Sequence, residues 1–317
     1  MFKQDSVQPN MSRAAIPWPR YHAKLNDYLL SFILGIVEGL TEFLPVSSTA
    51  HLRISEALLG INLEDGYWKM FSIVIQLGAI LTLPIYFWHR IMRFFITFPR
   101  GSRGDRTFLT HPLTLTAIAF VCTAGPAYLL TKVIGKNLEN LFMMGVAFIV
   151  GGIVMWIIDA LYGSIHSGAS EHEAAREIEE MGIGRAIWIG LCQILAPLFP
   201  GTSRSMATIA AGQLSGLSRT AALEFSFLLA IPTMAVSTGY EFLKFLHPGH
   251  GEASTAPHLD SHGLVVLAIG FVVSFVVAYV VVAWFMNWVR NRGFVPFAIY
   301  RLIAGTAVIV WALKGAH

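Results

Sequence analysis

The sequence predicts an all-α polytopic membrane protein, built as inverted repeats with two re-entrant helical hairpins that meet at mid-membrane. Three observations lead to this fold class. Hydrophobic residues make up 55% of the 317 residues and charged residues only 13%, whereas a soluble domain carries about 25% charged residues. Several apolar runs are long enough to cross a bilayer. Finally, two distant segments are copies of each other, and both carry polar residues into apolar surroundings.

Six apolar segments are the predicted membrane-spanning helices. A transmembrane helix needs about 20 mostly apolar residues, whereas the strands of a membrane β-barrel would be about 10 residues long and alternating. The longest candidate has no Asp, Glu, Lys or Arg at all. The six candidates are residues 71–88, 112–131, 141–158, 221–240, 263–289 and 294–313.

The distribution of charge predicts the orientation of these helices. Residues 90–106 hold five arginines and one acid, and such loops remain in the cytoplasm. Arg290 and Arg292 mark a second cytoplasmic end. With these ends inside, the first duplicated segment enters the membrane from outside and the second from inside, provided that each turns back at its proline. The net charge of +3 is too small to suggest nucleic acid as a partner.

The duplicated segments are residues 35–51, GIVEGLTEFLPVSSTAH, and residues 190–206, GLCQILAPLFPGTSRSM. An offset of 155 residues aligns them and pairs Ser48 with Ser203. Each copy is an apolar run broken by Pro, followed by small hydroxyl residues and then by a cation or His. In membrane proteins, a duplicated broken helix indicates a buried binding site.

We interpret residues 27–317 as one membrane domain made of two inverted-repeat halves, about 27–163 and 184–317. Residues 1–26 contain Pro, Lys, Arg and Asn without the apolar core of a signal peptide, and they are expected to form a loose N-terminal extension.

The two hairpin tips are expected to form an anion site. Non-helical backbone at membrane depth is tolerated only where protein or a water-filled cavity surrounds it, so the tips should meet near the middle. Each tip presents the N-terminus of its second helix, where unpaired N–H groups and the positive end of the helix dipole favour a phosphate. The polar side chains expected beside this phosphate are Ser47, Ser48, Thr49, Ser203, Arg204 and Ser205.

Two carboxylates and a serine–histidine pair suggest catalysis at this site. Glu38 and Glu42 are four residues apart and therefore share a helix face; they can bind a divalent cation or handle protons. Ser48 and His51 are three apart, so His51 is a candidate general base on Ser48 or on water, or the acid for the leaving group. Arg204 is the predicted phosphate-binding residue, because its guanidinium fork matches phosphate oxygens.

At these residues the chain resembles the bacitracin-resistance family of undecaprenyl-diphosphatases. The two family signatures are similar to EGLTEFLPVSSTAH at residues 38–51 and to PGTSRSMATI at residues 200–209. Supporting runs lie at residues 75–80, 225–234 and 300–309. The resemblance covers nearly everything after residue 27.

The resemblance implies hydrolysis of a C55 polyprenyl diphosphate to the monophosphate, which recycles the carrier lipid of cell-wall synthesis and confers bacitracin resistance. It also implies the bacterial cytoplasmic (inner) membrane, an active site opening to the periplasmic side, and a divalent cation, Mg²⁺ or Ca²⁺, which we expect on Glu38 and Glu42. By position, the family's site residues correspond to Glu38, Glu42, Ser47, Ser48, Thr49, His51, Ser203, Arg204, Ser205 and Thr208.

The sequence therefore predicts a membrane phosphatase; the alternative is a transporter or flippase for an anionic polyprenyl phosphate lipid, since inverted repeats are also a transporter architecture. The expected partners are the lipid substrate and membrane lipids, and a homodimer is left open. Ala50 and Met206 occupy positions where we expect Gly. A side chain at these positions limits how closely the backbone can approach a ligand. Arg301 and Glu224 are intramembrane charges without an obvious partner in the sequence.

Overall fold

A computed structural model describes residues 26–61, 66–101, 104–131, 134, 140–162, 177–246 and 260–314. The predicted extension, up to residue 25, lies outside the described residues. Within the described ranges the chain is helical, with turns between helices and no strand. The helices are α1 (Asp27–Thr41), α2 (Ser48–Leu58), α3 (Gly66–Tyr86), α4 (Trp88–Thr97), α5 (Pro112–Leu129), α6 (Leu141–Tyr162), α7 (Ile183–Gln193), α8 (Leu195–Leu198), α9 (Arg204–Leu214), α10 (Arg219–Leu246), α11 (Ser261–Arg292) and α12 (Val295–Lys314).

Six of the described helices, α3, α5, α6, α10, α11 and α12, are long and apolar enough to cross a membrane. They coincide with the six predicted segments, so this part of the prediction is confirmed. Helix α11 has 32 residues, about 48 Å at 1.5 Å per residue. It is therefore longer than the roughly 30 Å hydrocarbon core, and its last turn carries Arg290 and Arg292.

Helices from the two halves pack against each other. Helix α1 lies along α11, α7 lies along α5, and α6 lies along α12. Helix α11 also packs on α3, and α3 contacts α10. Helix α10 also contacts α5. The interleaving buries one continuous apolar core that includes Phe43, Phe227 and Phe285.

The turn between α1 and α2 and the turn before α9 end in the same backbone conformation. Ser47 precedes α2 with φ 72°, and Ser203 precedes α9 with φ 72°. Among the described residues they are the non-glycine residues with positive φ, a conformation uncommon for residues with a Cβ. The pairing of Ser48 with Ser203 is thus wrong by one residue after the prolines: the structure pairs Ser47 with Ser203, because Gly201 adds a residue to the second turn.

Gly201 is required at this point of the second turn. Its φ is 97°, and a Cβ placed there would lie 2.6 Å from the carbonyl oxygen of Met144 on α6. Any side chain would therefore be strained and would collide with the backbone of α6.

Two buried ion pairs join helices that are distant in sequence. Arg90 Nε on α4 lies 2.7 Å from Glu224 Oε1 on α10, so Glu224 has the partner that the sequence did not identify. Arg219 Nε on α10 donates to Asp159 Oδ1 of α6 at 2.6 Å. The second oxygen of Asp159 accepts from the backbone N–H of Phe294 at 2.9 Å. Asp159 therefore fixes the ends of α6, α10 and α12 relative to one another.

Replacing Asp159 by Ala is expected to destabilise the fold by about 3–5 kcal/mol, because it leaves a partly buried guanidinium and a buried N–H without their acceptor. Thermal unfolding in detergent measures this effect. The control is Asp105→Ala, whose carboxylate is 53% exposed and lies 3.6 Å from Arg106. Equal unfolding temperatures for the two variants would show that the junction is not important for stability.

Candidate active site

The two predicted hairpin tips are in direct contact. Ser205 Oγ of α9 donates to the carbonyl of Leu44 in the first turn at 3.0 Å. Arg204 Nη2, at the first residue of α9, lies 3.6 Å from Glu42 Oε1. Residues that the sequence separates by about 160 positions therefore form one buried polar cluster, as predicted for a site between the tips.

Glu42 connects the candidate nucleophile with the candidate phosphate-binding residue. Its Oε2 accepts a hydrogen bond from Ser48 Oγ at 2.5 Å, while its Oε1 faces Arg204. Glu42 follows the last residue of α1, and its backbone N–H bonds to the carbonyl of Glu38, which puts both carboxylates on the same face. The carboxylate is thus held by one partner from each half of the chain.

Glu38 is the buried carboxylate without a donor. It is 1% exposed, and no donor from the described residues bonds to either of its oxygens. An ionised carboxylate in such a place is costly unless a cation or a proton compensates it. Carboxylate oxygens are the ligands that Mg²⁺ and Ca²⁺ prefer, so Glu38 together with Glu42 fits a divalent cation.

The described residues contain no group of three or more His, Cys, Asp or Glu side chains with metal-binding geometry. This is compatible with Mg²⁺, which is commonly held by one or two carboxylates while substrate phosphates and water complete its coordination.

The guanidinium of Arg204 uses only one of its three nitrogens for a hydrogen bond to the described residues. Its Nη1 donates to the carbonyl of Ser226 at 3.3 Å, whereas Nε and Nη2 are buried and form no hydrogen bond with the described residues; Nη2 only faces Glu42 Oε1 at 3.6 Å. Nε and Nη2 are the two nitrogens of one fork edge, which is the edge that binds phosphate or carboxylate in bidentate fashion. Beside them lies the N-terminus of α9, an 11-residue helix in which the Ser203 side chain caps the N–H of Met206. The other N–H groups of a first helical turn have no acceptor within the helix.

The predicted hydroxyl residues do not all join this cluster. Ser203 and Ser205 bond to each other at 3.0 Å, next to Arg204. Thr208 lies one turn further along α9 and bonds to Ser226 Oγ at 2.6 Å, which supports the helix next to the site. Thr49 is exposed on α2, away from the buried cluster.

His51 is close to the cluster but is not bonded to Ser48. Its Nδ1 bonds to the carbonyl of Ser47 at 2.7 Å, and its Nε2 bonds to Tyr300 Oη at 2.6 Å. Because a carbonyl only accepts, Nδ1 carries the proton, and in the neutral ring Nε2 accepts from Tyr300. The basic nitrogen of His51 therefore faces Tyr300 on α12, a residue that we did not predict as part of the site.

Ala50 and Met206 occupy the two positions where glycine was expected. Ala50 is fully buried in a small apolar cluster with Met144 and Phe148 of α6. The side chain of Met206 extends to the surface of α6 at Gly151, where its Cε would lie 2.8 Å from an added Cβ. Both side chains pack against α6.

Comparisons of the sequence with known proteins identify the family of this chain. The sequence profile of the family described as "Bacitracin resistance protein BacA" matches residues 31–307. A protein of Koribacter versatilis named undecaprenyl-diphosphatase is 64% identical over 292 residues, which are 92% of this chain and 100% of the relative. Relatives with the same name from Bradyrhizobium sp. and Thermus thermophilus are each 39% identical over 90% of this chain and 97% of their own. The chain belongs to the BacA family of bacitracin-resistance proteins.

Proposed function

We propose that this chain is a membrane phosphatase that hydrolyses undecaprenyl diphosphate to undecaprenyl phosphate and phosphate, and so recycles the carrier lipid of cell-wall synthesis. The observation that carries the proposal is the cluster of Ser48, Glu42 and Arg204 at the contact of two helix tips. It combines a hydroxyl, a proton acceptor and a phosphate-binding fork. A transporter would use the arginine and the helix ends but has no need of a hydroxyl bonded to a carboxylate.

In this proposal the tips belong to re-entrant hairpins in inverted repeats. The contacts between helices support this, because α1 packs on α2 and α11 as α7 packs on α9 and α5. The shared φ of 72° at Ser47 and Ser203 also supports it. The arginines at 90–106 favour the cytoplasmic side for that segment, and we assign the protein to the bacterial inner membrane with its site opening to the periplasm. A homodimer stays a prediction.

Substrate binding is assigned to the second tip. The terminal phosphate lies against the free fork edge of Arg204 and the N–H groups at the start of α9, while the prenyl chain remains in lipid. Ser203 and Ser205 can turn their hydroxyls to the phosphate oxygens. As charge builds on the transferred phosphoryl group, the preorganised guanidinium and helix N-terminus stabilise it.

In the first step, Ser48 Oγ attacks the terminal phosphorus and the bond to the bridging oxygen breaks, so that undecaprenyl phosphate leaves with that oxygen. Glu42 takes the proton of Ser48, to which it is already hydrogen bonded. In the second step, water attacks the phosphoserine, phosphate leaves and Ser48 regains its proton. We assign the activation of this water to His51, once Nε2 exchanges Tyr300 for the water. Direct attack by a water that His51 activates is the competing route.

Glu38 and Glu42 would hold a divalent cation, Mg²⁺ or Ca²⁺, which would neutralise charge on the phosphates. The electrostatics of the site support this assignment. Glu38 is buried without a hydrogen-bond donor among the described residues, and a cation beside it would compensate its charge.

Arg204→Ala is expected to lower phosphate release by about 10³-fold or more, the scale of an arginine that stabilises phosphoryl transfer. Release from a polyprenyl diphosphate by purified protein in detergent, with Mg²⁺ and with EDTA, is the measurement. The control is Arg185→Ala, an exposed residue near the start of α7. No release from folded wild type with Mg²⁺ or Ca²⁺ supplied would favour the transporter.

Ser48→Ala is expected to abolish turnover while substrate binding is largely preserved. Acid quenching of wild type with substrate labelled at the terminal phosphate should trap phosphoserine. Ser237→Ala, an exposed serine on α10, is the control, and near-normal kcat for Ser48→Ala would exclude the serine nucleophile.

Glu38→Gln is expected to raise the Mg²⁺ concentration needed for half-maximal activity at least about tenfold, because even changes outside the ligand shell cost 10–100-fold. Mn²⁺ titration followed by electron paramagnetic resonance measures binding directly. The matched control is Glu56→Gln, a buried carboxylate on α2 that is bonded to Ser72 at 2.8 Å and to Arg53 at 3.2 Å. Unchanged metal dependence in Glu38→Gln would remove this residue from the metal site.

A further inference from the structure

Arg301 of α12 is a completely buried cation that touches both tips. Its exposed fraction is 0%. Nη1 donates to the carbonyl of Pro45 in the first turn at 3.1 Å, and Nη2 donates to the carbonyl of Gly201 in the second turn at 2.9 Å. One guanidinium thus spans the two turns that carry the catalytic helices.

The same side chain is anchored to α6. Nη2 also donates to the carbonyl of Ala147 at 2.9 Å, and Nε donates to that of Phe148 at 3.3 Å. The guanidinium carbon of Arg301 lies 5.2 Å from the centre of the Phe148 ring. Every nitrogen of the fork is engaged with protein, so Arg301 has little left to offer a substrate and acts on the site through the backbone.

The complete burial of the Arg301 charge requires a structural explanation. No carboxylate of the described residues forms an ion pair with Arg301, and its charge is compensated by four carbonyl dipoles and an aromatic face. Desolvating a cation is costly; an apolar residue would fill the space at a lower cost, and lysine would keep a charge only as a compact, more strongly hydrated ammonium. What neither can supply is a rigid planar set of donors that reaches several carbonyls in fixed directions.

The two tip carbonyls lie equally far along the chain from the helices that they precede. Pro45 precedes Ser48, the first residue of α2, by three positions, and Gly201 precedes Arg204, the first residue of α9, by three positions. Bonding both carbonyls to one guanidinium therefore fixes the starts of α2 and α9 relative to each other.

We propose that Arg301 is a positioning residue that sets the separation of the two tips, and with it the distance between the serine nucleophile and the phosphate-binding arginine. The inference rests on the proposed phosphatase function. In this inference, α12 holds the starts of α2 and α9 at a fixed separation, although the two helices belong to separate hairpins.

Gly151 of α6 provides an independent way to move the guanidinium. A Cβ at this position would overlap Arg301 Nη2, so Gly151→Ala displaces the fork but keeps its charge. Gly125 on α5 offers a matched control, since a Cβ there meets no atom within 4 Å.

The test compares kcat, KM and unfolding temperature of wild type, Arg301→Lys and Gly151→Ala in detergent with a polyprenyl diphosphate. Misplacement of reacting groups by about 1 Å costs about 100-fold in rate, so kcat per folded molecule should fall about 100-fold in both variants. KM should change little, because the prenyl chain is still bound. Gly125→Ala should match wild type.

Asp159→Ala separates positioning from stability. It is expected to lower the unfolding temperature but to keep the kcat of wild type per folded molecule, because Asp159 has no contact with the tips. Wild-type kcat in Arg301→Lys, or in Gly151→Ala should the lysine variant not fold, would overturn the inference. A loss of kcat that merely follows the unfolding temperature, as in Asp159→Ala, would also overturn it. Inactive wild type would instead refute the phosphatase function.

Discussion

The constraint on which the rest of the structure depends is that two chain segments leave the helical conformation inside an apolar environment. Backbone N–H and C=O groups that lose their helical partners there must be satisfied by protein or ligand. In this chain the carbonyls of Leu44, Pro45 and Gly201 are satisfied by side chains from other helices, Ser205 and Arg301. The N–H groups at the starts of α2 and α9 are the complementary set, and their free ends give the anion site its polarity. The buried hydrogen bonds of the tips and the proposed substrate binding thus both depend on the same two interruptions.

The same two interruptions also explain why charged residues are buried at the tips, where an apolar environment makes their desolvation most costly. Arg204 has a free fork edge and Glu38 has two free oxygens, and each is a liability in the absence of a partner. A diphosphate would satisfy the first and a divalent cation the second, and the two ligands attract each other. The site is therefore expected to be stabilised by its ligands, and the buried Arg301 does not compete for them because carbonyls already occupy its donors.

The sequence was sufficient for what depends on local pattern. Apolar runs of sufficient length identified the six helices that are long enough to cross a membrane, and the motif spacing singled out Glu38, Glu42, Ser48 and Arg204 as candidate site residues. It was insufficient where several helices meet. The hydrogen bond from Ser48 to Glu42 rather than to His51 depends on how the first turn folds back. The partners of Glu224 and Arg301 lie at least 100 residues away in the sequence. The one-residue shift between the copies arises because Gly201 is an additional residue in the second turn. An alignment with one fixed offset has no place for such an insertion.

The duplication itself shows how one site was divided between two halves. Before the prolines the offset of 155 pairs Glu38 with Gln193, which donates to Thr123 at 3.0 Å and to Thr233 at 3.2 Å and so has a structural role. After Gly201 the offset becomes 156, and the position of Ser48 in the first half is that of Arg204 in the second. The first half supplies the carboxylates and the hydroxyl, and the second half supplies the cation. In the proposed phosphatase neither tip alone contains a complete site. The proposed catalysis therefore requires that the two tips be held in contact, and we infer that a residue that bonds to both of them acts on every step of the reaction.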